Sequence, residues 1–141
     1  MLNKKVLSAL TILICFASIL ALASCKSTEQ EATWFHYSGK SVFVELAGNY
    51  TTGYQWTASV EGTAVQVKED AYTPHDAPEG MVGVGGTWTC TLEAVCDGEA
   101  TVNFTYLRPW NKTDIAESHS LQVTVRNGKI SSVKEIIEEA N

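Results

Sequence analysis

Histidine is scarce in this sequence, and its scarcity removes most hydrolytic chemistry. The three copies, His36, His75 and His119, stand on separate segments, no H-E-x-x-H run occurs, and Cys90 and Cys96 are not spaced as a zinc knuckle. His75-Asp76 with Asp70 reads as part of a polar loop rather than a metal site. No cysteine has the electropositive surroundings that would lower its pKa for nucleophilic work. Positive charge is also short: 10 Lys+Arg stand against 16 Asp+Glu, a formal net charge of −6. Binding phosphates needs the opposite balance, so nucleic acid is not an expected partner. Gly83-Val84-Gly85-Gly86 lacks a following helix and a P-loop lysine, which excludes a phosphate cradle. No internal repeat or low-complexity segment occurs. The expectation is a protein that is not an enzyme and holds no metal or cofactor.

The one long apolar run, Val6 to Leu22, follows Lys4 and Lys5 and precedes small residues, the layout of an export leader over 1–24. It is short for a free-standing membrane helix, which needs about 20 residues. Leu22-Ala23-Ser24-Cys25 resembles the lipobox of bacterial lipoproteins. That resemblance implies cleavage before Cys25, a lipid anchor on its sulfur, and attachment to the bacterial cell membrane or outer membrane. Losing Lys4 and Lys5 leaves eight basic and 16 acidic residues, a formal charge of −8. Residues 25–32 then form a polar spacer. Of the other cysteines Cys15 leaves with the leader. On one extended strand Cys90 and Cys96 would lie about 20 Å apart, too far for a disulfide, whose Cα atoms lie within about 7 Å. The reading favours two separate thiols with Cys90 in the core, and a bend after Ala94 leaves a bridge open.

From Trp34 onward the chain alternates apolar and polar residues in short runs. Val42, Val44 and Leu46, then Trp56, Ala58 and Val60, then Val65 and Val67 share the two-residue period of half-buried strands. Trp88, Cys90 and Leu92, then Val102, Phe104 and Tyr106, then Leu121, Val123 and Val125 repeat it. Asp97-Gly98 signals a turn, and Glu69 to Val82, with two prolines, reads as a long connection. About seven strands and no intervening helix predict an all-β, immunoglobulin-like antiparallel sandwich over 33–127. In the tail 128–141, Ser132 to Glu135 offers a capping box and Val133, Ile136, Ile137 and Ala140 fall at helical spacing, which predicts a short C-terminal helix.

Three segments stand out: Asn49-Tyr50-Thr51-Thr52-Gly53-Tyr54-Gln55-Trp56, Gly83-Val84-Gly85-Gly86 and Arg108-Pro109-Trp110. In this order they resemble the chagasin family of cysteine-peptidase inhibitors, whose pattern reads N-P-T-T-G-Y-x-W, G-x-G-G and R-P-W or R-P-F. The resemblance runs from about Ser41 to Val125. Tyr50 replaces the family's proline, which removes a fixed φ from the first loop. Asn103 and Asn111, like Asn49, begin Asn-x-Thr sequons to which no role is assigned.

The resemblance implies tight, reversible inhibition of papain-like cysteine peptidases by a monomer. Loops after the second, fourth and sixth strands emerge at one end of such a sandwich. Thr51, Thr52 and Gly53 would then enter at the catalytic cysteine and histidine, Gly83 to Gly86 would pair with the non-primed side, and Arg108 and Trp110 would cover the primed side. Asn49, Tyr54 and Trp56 would shape the first loop. Taken singly, Trp110 also fits a core tryptophan and Arg108 a solvated charge. The competing reading is a surface adhesion or glycan-binding module using Trp110, Tyr50 and Tyr72 as stacking platforms.

Overall fold

A computed structural model describes residues 34–137; the leader, Cys25, the spacer and the last four residues lie outside the described residues. Eight strands follow in order: β1 (Phe35–Ser38), β2 (Ser41–Gly48), β3 (Gln55–Gly62), β4 (Val65–Pro74), β5 (Gly86–Ala94), β6 (Gly98–Arg108), β7 (Asn111–Arg126) and β8 (Lys129–Glu135). They form two antiparallel sheets, ordered β1-β2-β5-β4 and β3-β6-β7-β8. This is the all-β, immunoglobulin-like sandwich that the alternation predicts.

The alternating apolar residues meet between the sheets. Val42, Val44 and Leu46 on β2 and Trp88, Cys90 and Leu92 on β5 face Val102 and Phe104 on β6 and Leu121, Val123 and Val125 on β7. Each such side chain contributes about 1.5–3 kcal/mol on burial. Trp88 and Phe104 meet edge to face across the gap, centroids 6.1 Å apart, an arrangement favoured by the ring quadrupoles. Cys90 and Cys96 are unbonded. Burial first, then the charge of Asp70, pushes the Cys90 thiol up to about 12, so it stays protonated and inert at neutral pH.

Three departures from the expected pattern fall in strands with irregular register. Beta-bulges reverse the parity of a strand, so alternation read across them fails. In β4, Lys68 is an extra residue between the pairs Val67↔Leu92 and Glu69↔Thr91. The strand therefore continues to Pro74 where a long connection is expected, and Tyr72 pairs with Trp88. In β7, two irregularities extend the strand back to Asn111 through residues 111–118, which the sequence predicts as a polar loop after Trp110.

The tail is the third case, and it corrects the expected helix. Residues Lys129–Glu135 form a strand that pairs with β7. Ser131 is the extra residue, since Thr124 pairs with Ser132 and Val125 with Ile130. Ile130 and Val133 thus both pack on the core despite a spacing of three, whereas Ile136 and Ile137 of the expected helical set lie exposed beyond the strand. Pairing the free edge of β7 outweighs the local capping box.

Candidate functional site

The connections β2–β3, β4–β5 and β6–β7 come together at one end of the sandwich, and they carry the three motif segments. The first is built around Asn49. Its Oδ1 accepts the Thr51 N–H at 3.1 Å, and its carbonyl accepts the Thr52 N–H and hydroxyl at 3.2 and 2.6 Å. These bonds wind Tyr50–Thr52 into one 3-10 turn, closed by Gly53 at φ +86°, ψ −5° with its N–H on the Tyr50 carbonyl. Only glycine takes that left-handed conformation at little cost.

The loops touch one another directly. Asn49 Nδ2 donates to the Gly83 carbonyl at 2.9 Å, fastening the first loop to the second. A Cβ on Gly53 would stand 2.5 Å from Cη2 of Trp110, so the third loop's indole covers the first loop's glycine. Trp110 is nevertheless 72% exposed, which rules out a core tryptophan. It crowns a two-residue hairpin, Pro109-Trp110, between paired Arg108 and Asn111. Thr51 and Thr52 are exposed beside it, as are Gly83 and the neighbouring Met81 and Val82, whereas Val84 and Gly85 are half-buried.

Other motif residues lie beneath this surface. Gly86 is a buried member of β5, where a side chain would overlap the Thr73 carbonyl and the Tyr72 ring. Trp56 is buried and donates its indole N–H to the Ala47 carbonyl at 2.9 Å. Arg108 donates to Asp114 Oδ2 at 2.9 Å, and its guanidinium lies 4.5 Å from the Tyr54 ring centre. The arginine is thus engaged within the chain.

Two tyrosines not marked by the motif hold the assembly. Tyr106 accepts the Asn49 N–H at 2.7 Å and donates to the Asn49 carbonyl at 3.0 Å. It also packs between Trp56, stacked at 5.0 Å, and Tyr54, tilted at 5.4 Å, continuing the core to the loops. Tyr72 stacks on Tyr50 with centroids 3.8 Å apart and planes 4° apart. The Tyr50 hydroxyl accepts the Trp56 N–H at 3.2 Å, and Tyr72 donates to the Gly48 carbonyl at 3.3 Å. Burial pushes the Tyr50 phenol up. Packing and hydrogen bonding hold Tyr50 where the family's proline would fix φ. The stack spends one face of each tyrosine internally, so of Tyr50, Tyr72 and Trp110 only Trp110 stands open as a platform. In the sequence Tyr106 resembles any inward strand residue, and Tyr72 sits beyond the bulge that hides its parity.

The family model described as "Chagasin family peptidase inhibitor" matches residues 37–125. The chain belongs to the chagasin family. Chagasin of Trypanosoma cruzi is 32% identical over 77 residues, 51% of this chain and 68% of that protein. Amoebiasin-2 of Entamoeba histolytica is 26% identical over 100 residues, 71% of this chain and 81% of that one. The crystal structure of a cysteine protease inhibitor from Entamoeba histolytica superposes with a TM-score of 0.53 at 26% identity, covering 61% of this chain and 78% of that chain. The family is one of inhibitors and not of enzymes. Its matched span stops at Val125, so β8 lies beyond it.

Proposed function

We propose that this chagasin-family protein inhibits papain-like cysteine peptidases tightly and reversibly, by seating the joined loops in the active-site cleft. The observation that carries the proposal is the contact of all three motif loops at one end, with Thr51, Thr52 and Trp110 exposed there. Thr51 to Gly53 present a backbone held in a 3-10 turn, not an extended substrate strand. Attack on a carbonyl needs the reacting atoms about 3–3.5 Å apart and aligned, so a misaligned backbone blocks the site without being cleaved. Gly83 and its neighbours offer main chain to the non-primed side, and Trp110 stacks on the primed side. Few loop residues need ordering on binding, because the bonds at Asn49 and the tyrosine stack already fix them.

Titration of papain with the purified protein tests this. One-to-one inhibition is expected. Trp110→Ala should cost about 2 kcal/mol, a rise of about 30-fold in the inhibition constant. Thr51→Arg, with a long cation on the crest of the first loop, should also weaken inhibition. No inhibition by wild type at micromolar concentration would favour the adhesion or glycan-binding reading.

We further propose, on the Leu22 to Cys25 sequence alone, that export and lipid attachment at Cys25 hold the inhibitor at a bacterial membrane. Two or more acyl chains suffice for stable anchoring, each buried methylene contributing about 0.8 kcal/mol. Intact mass of the protein extracted from membranes should show a lipid-modified Cys25 as its first residue; an unmodified N-terminus would contradict this.

A further inference from the structure

The third loop is anchored through a residue outside every motif. Between the pairs Arg108↔Asn111 and Leu107↔Ile115, three residues of β7, Lys112 to Asp114, have no partner on β6. This bulge turns Asp114 back toward the loops. Its Oδ1 accepts the Tyr54 hydroxyl at 2.8 Å and its Oδ2 accepts Arg108 Nη1 at 2.9 Å. Tyr54 ends the first loop and Arg108 begins the third. One carboxylate therefore clamps both, and the guanidinium closes the triangle by lying over the Tyr54 ring. The bond to Asp114 also pushes the Tyr54 phenol up. Arg108 Nε is buried with no partner among the described residues, a desolvation cost that the bond to Asp114 and the packing on Tyr54 must offset.

We infer that Asp114 is a positioning residue for inhibition, a clamp that keeps the first and third loops in their binding arrangement before the peptidase arrives. The inference rests on the cleft-seating reading above. It gives Arg108 a different part from the contact that the family resemblance implies: Arg108 is a strut of the clamp, and Trp110 makes the contact. Both partners of the ion pair are about one-third exposed, so solvent weakens their attraction. The two simultaneous hydrogen bonds, rather than charge alone, set the geometry.

A clamp acts on the free protein. Releasing it lowers the fraction of molecules whose loops are competent to bind, and apparent affinity falls by that fraction. Association slows while dissociation from the completed complex changes little. We expect Asp114→Ala to lower the association rate with papain about tenfold, as for one molecule in ten competent, with dissociation within about twofold. Asp114→Asn, which keeps an acceptor for Tyr54 but loses the charge facing Arg108, should fall between. Adding Tyr54→Phe to Asp114→Ala should cost less than it does alone, because both break the same bond. In the unbound protein, amide exchange in 50–54 and 110–114 should accelerate in Asp114→Ala while β2 and β5 keep their protection.

Unchanged association rates and loop exchange in Asp114→Ala, or additive effects with Tyr54→Phe, would overturn the clamp. An effect confined to a faster dissociation rate would overturn it too, since that marks a direct contact. Failure of wild type to inhibit papain would sink the cleft-seating reading, whereas the exchange measurement needs no peptidase and judges the clamp by itself.

Discussion

Gly53→Val is expected to raise the inhibition constant against papain by about a hundredfold or more, while the sandwich stays folded. Two penalties coincide at this position. The left-handed backbone at φ +86° costs an L-residue about 1–2 kcal/mol, and more for a branched side chain. The added carbons also fall on the Trp110 indole, whose Cη2 would be 2.5 Å from the Cβ. The loop relieves both by abandoning the 3-10 turn or displacing the indole, and either move separates the surfaces that should bind together. A loss of about 2.7 kcal/mol corresponds to a hundredfold. Gly53 lies outside the core, so the sandwich should still unfold cooperatively, its thermal midpoint lowered by about 4–8 °C for each kcal/mol of strain that the loop retains. A wild-type inhibition constant in this variant would remove the first loop from the account.

Phe104→Ala should destabilise the protein by about 3–5 kcal/mol, the usual cost of emptying a buried phenylalanine site. Phe104 is fully buried on β6 and touches Trp88 of the opposite sheet and Trp34 before β1, both edge to face. Its removal leaves a cavity bounded by two rigid indoles that have little freedom to collapse into it. Domains of this size are stable by about 5–15 kcal/mol, so the variant keeps only part of its margin. Urea unfolding should show a lower midpoint at an unchanged slope. A change below about 1 kcal/mol would mean that the two sheets do not depend on this ring.

The strands with unbroken alternation are legible in the sequence. Val42-Val44-Leu46 and Leu121-Val123-Val125 appear where their period places them. Legibility ended wherever a bulge added a residue. Lys68 hid the second half of β4 and with it the inward placing of Tyr72, and in the tail a local capping box at Ser132 to Glu135 outweighed, in sequence, a pairing with β7 that only the fold reveals. Lys112 to Asp114 read as loop because all three are polar, and in the structure they are the residues of β7 that bulge without partners on β6.

The motif segments were equally visible, but their division of labour was not. Spacing along the chain does not reveal that Gly86 is buried, that Arg108 is paired within the chain, or that Trp110 lies on Gly53. Those facts depend on which strand ends share a pole of the sandwich. The substitution of Tyr50 for proline reads in sequence as a loss of stiffness. Its stack on Tyr72 is a long-range contact that local rules do not contain.

Occupation of the cleft by the joined loops is the claim on which the rest depends. Calorimetric titration of this protein into papain, with and without a peptidyl chloromethyl ketone bonded to the catalytic cysteine, tests it most directly. The free enzyme should bind at one-to-one stoichiometry, and the enzyme whose cleft is already filled should give no binding heat. Equal affinity for both forms would show that the protein binds elsewhere on the peptidase.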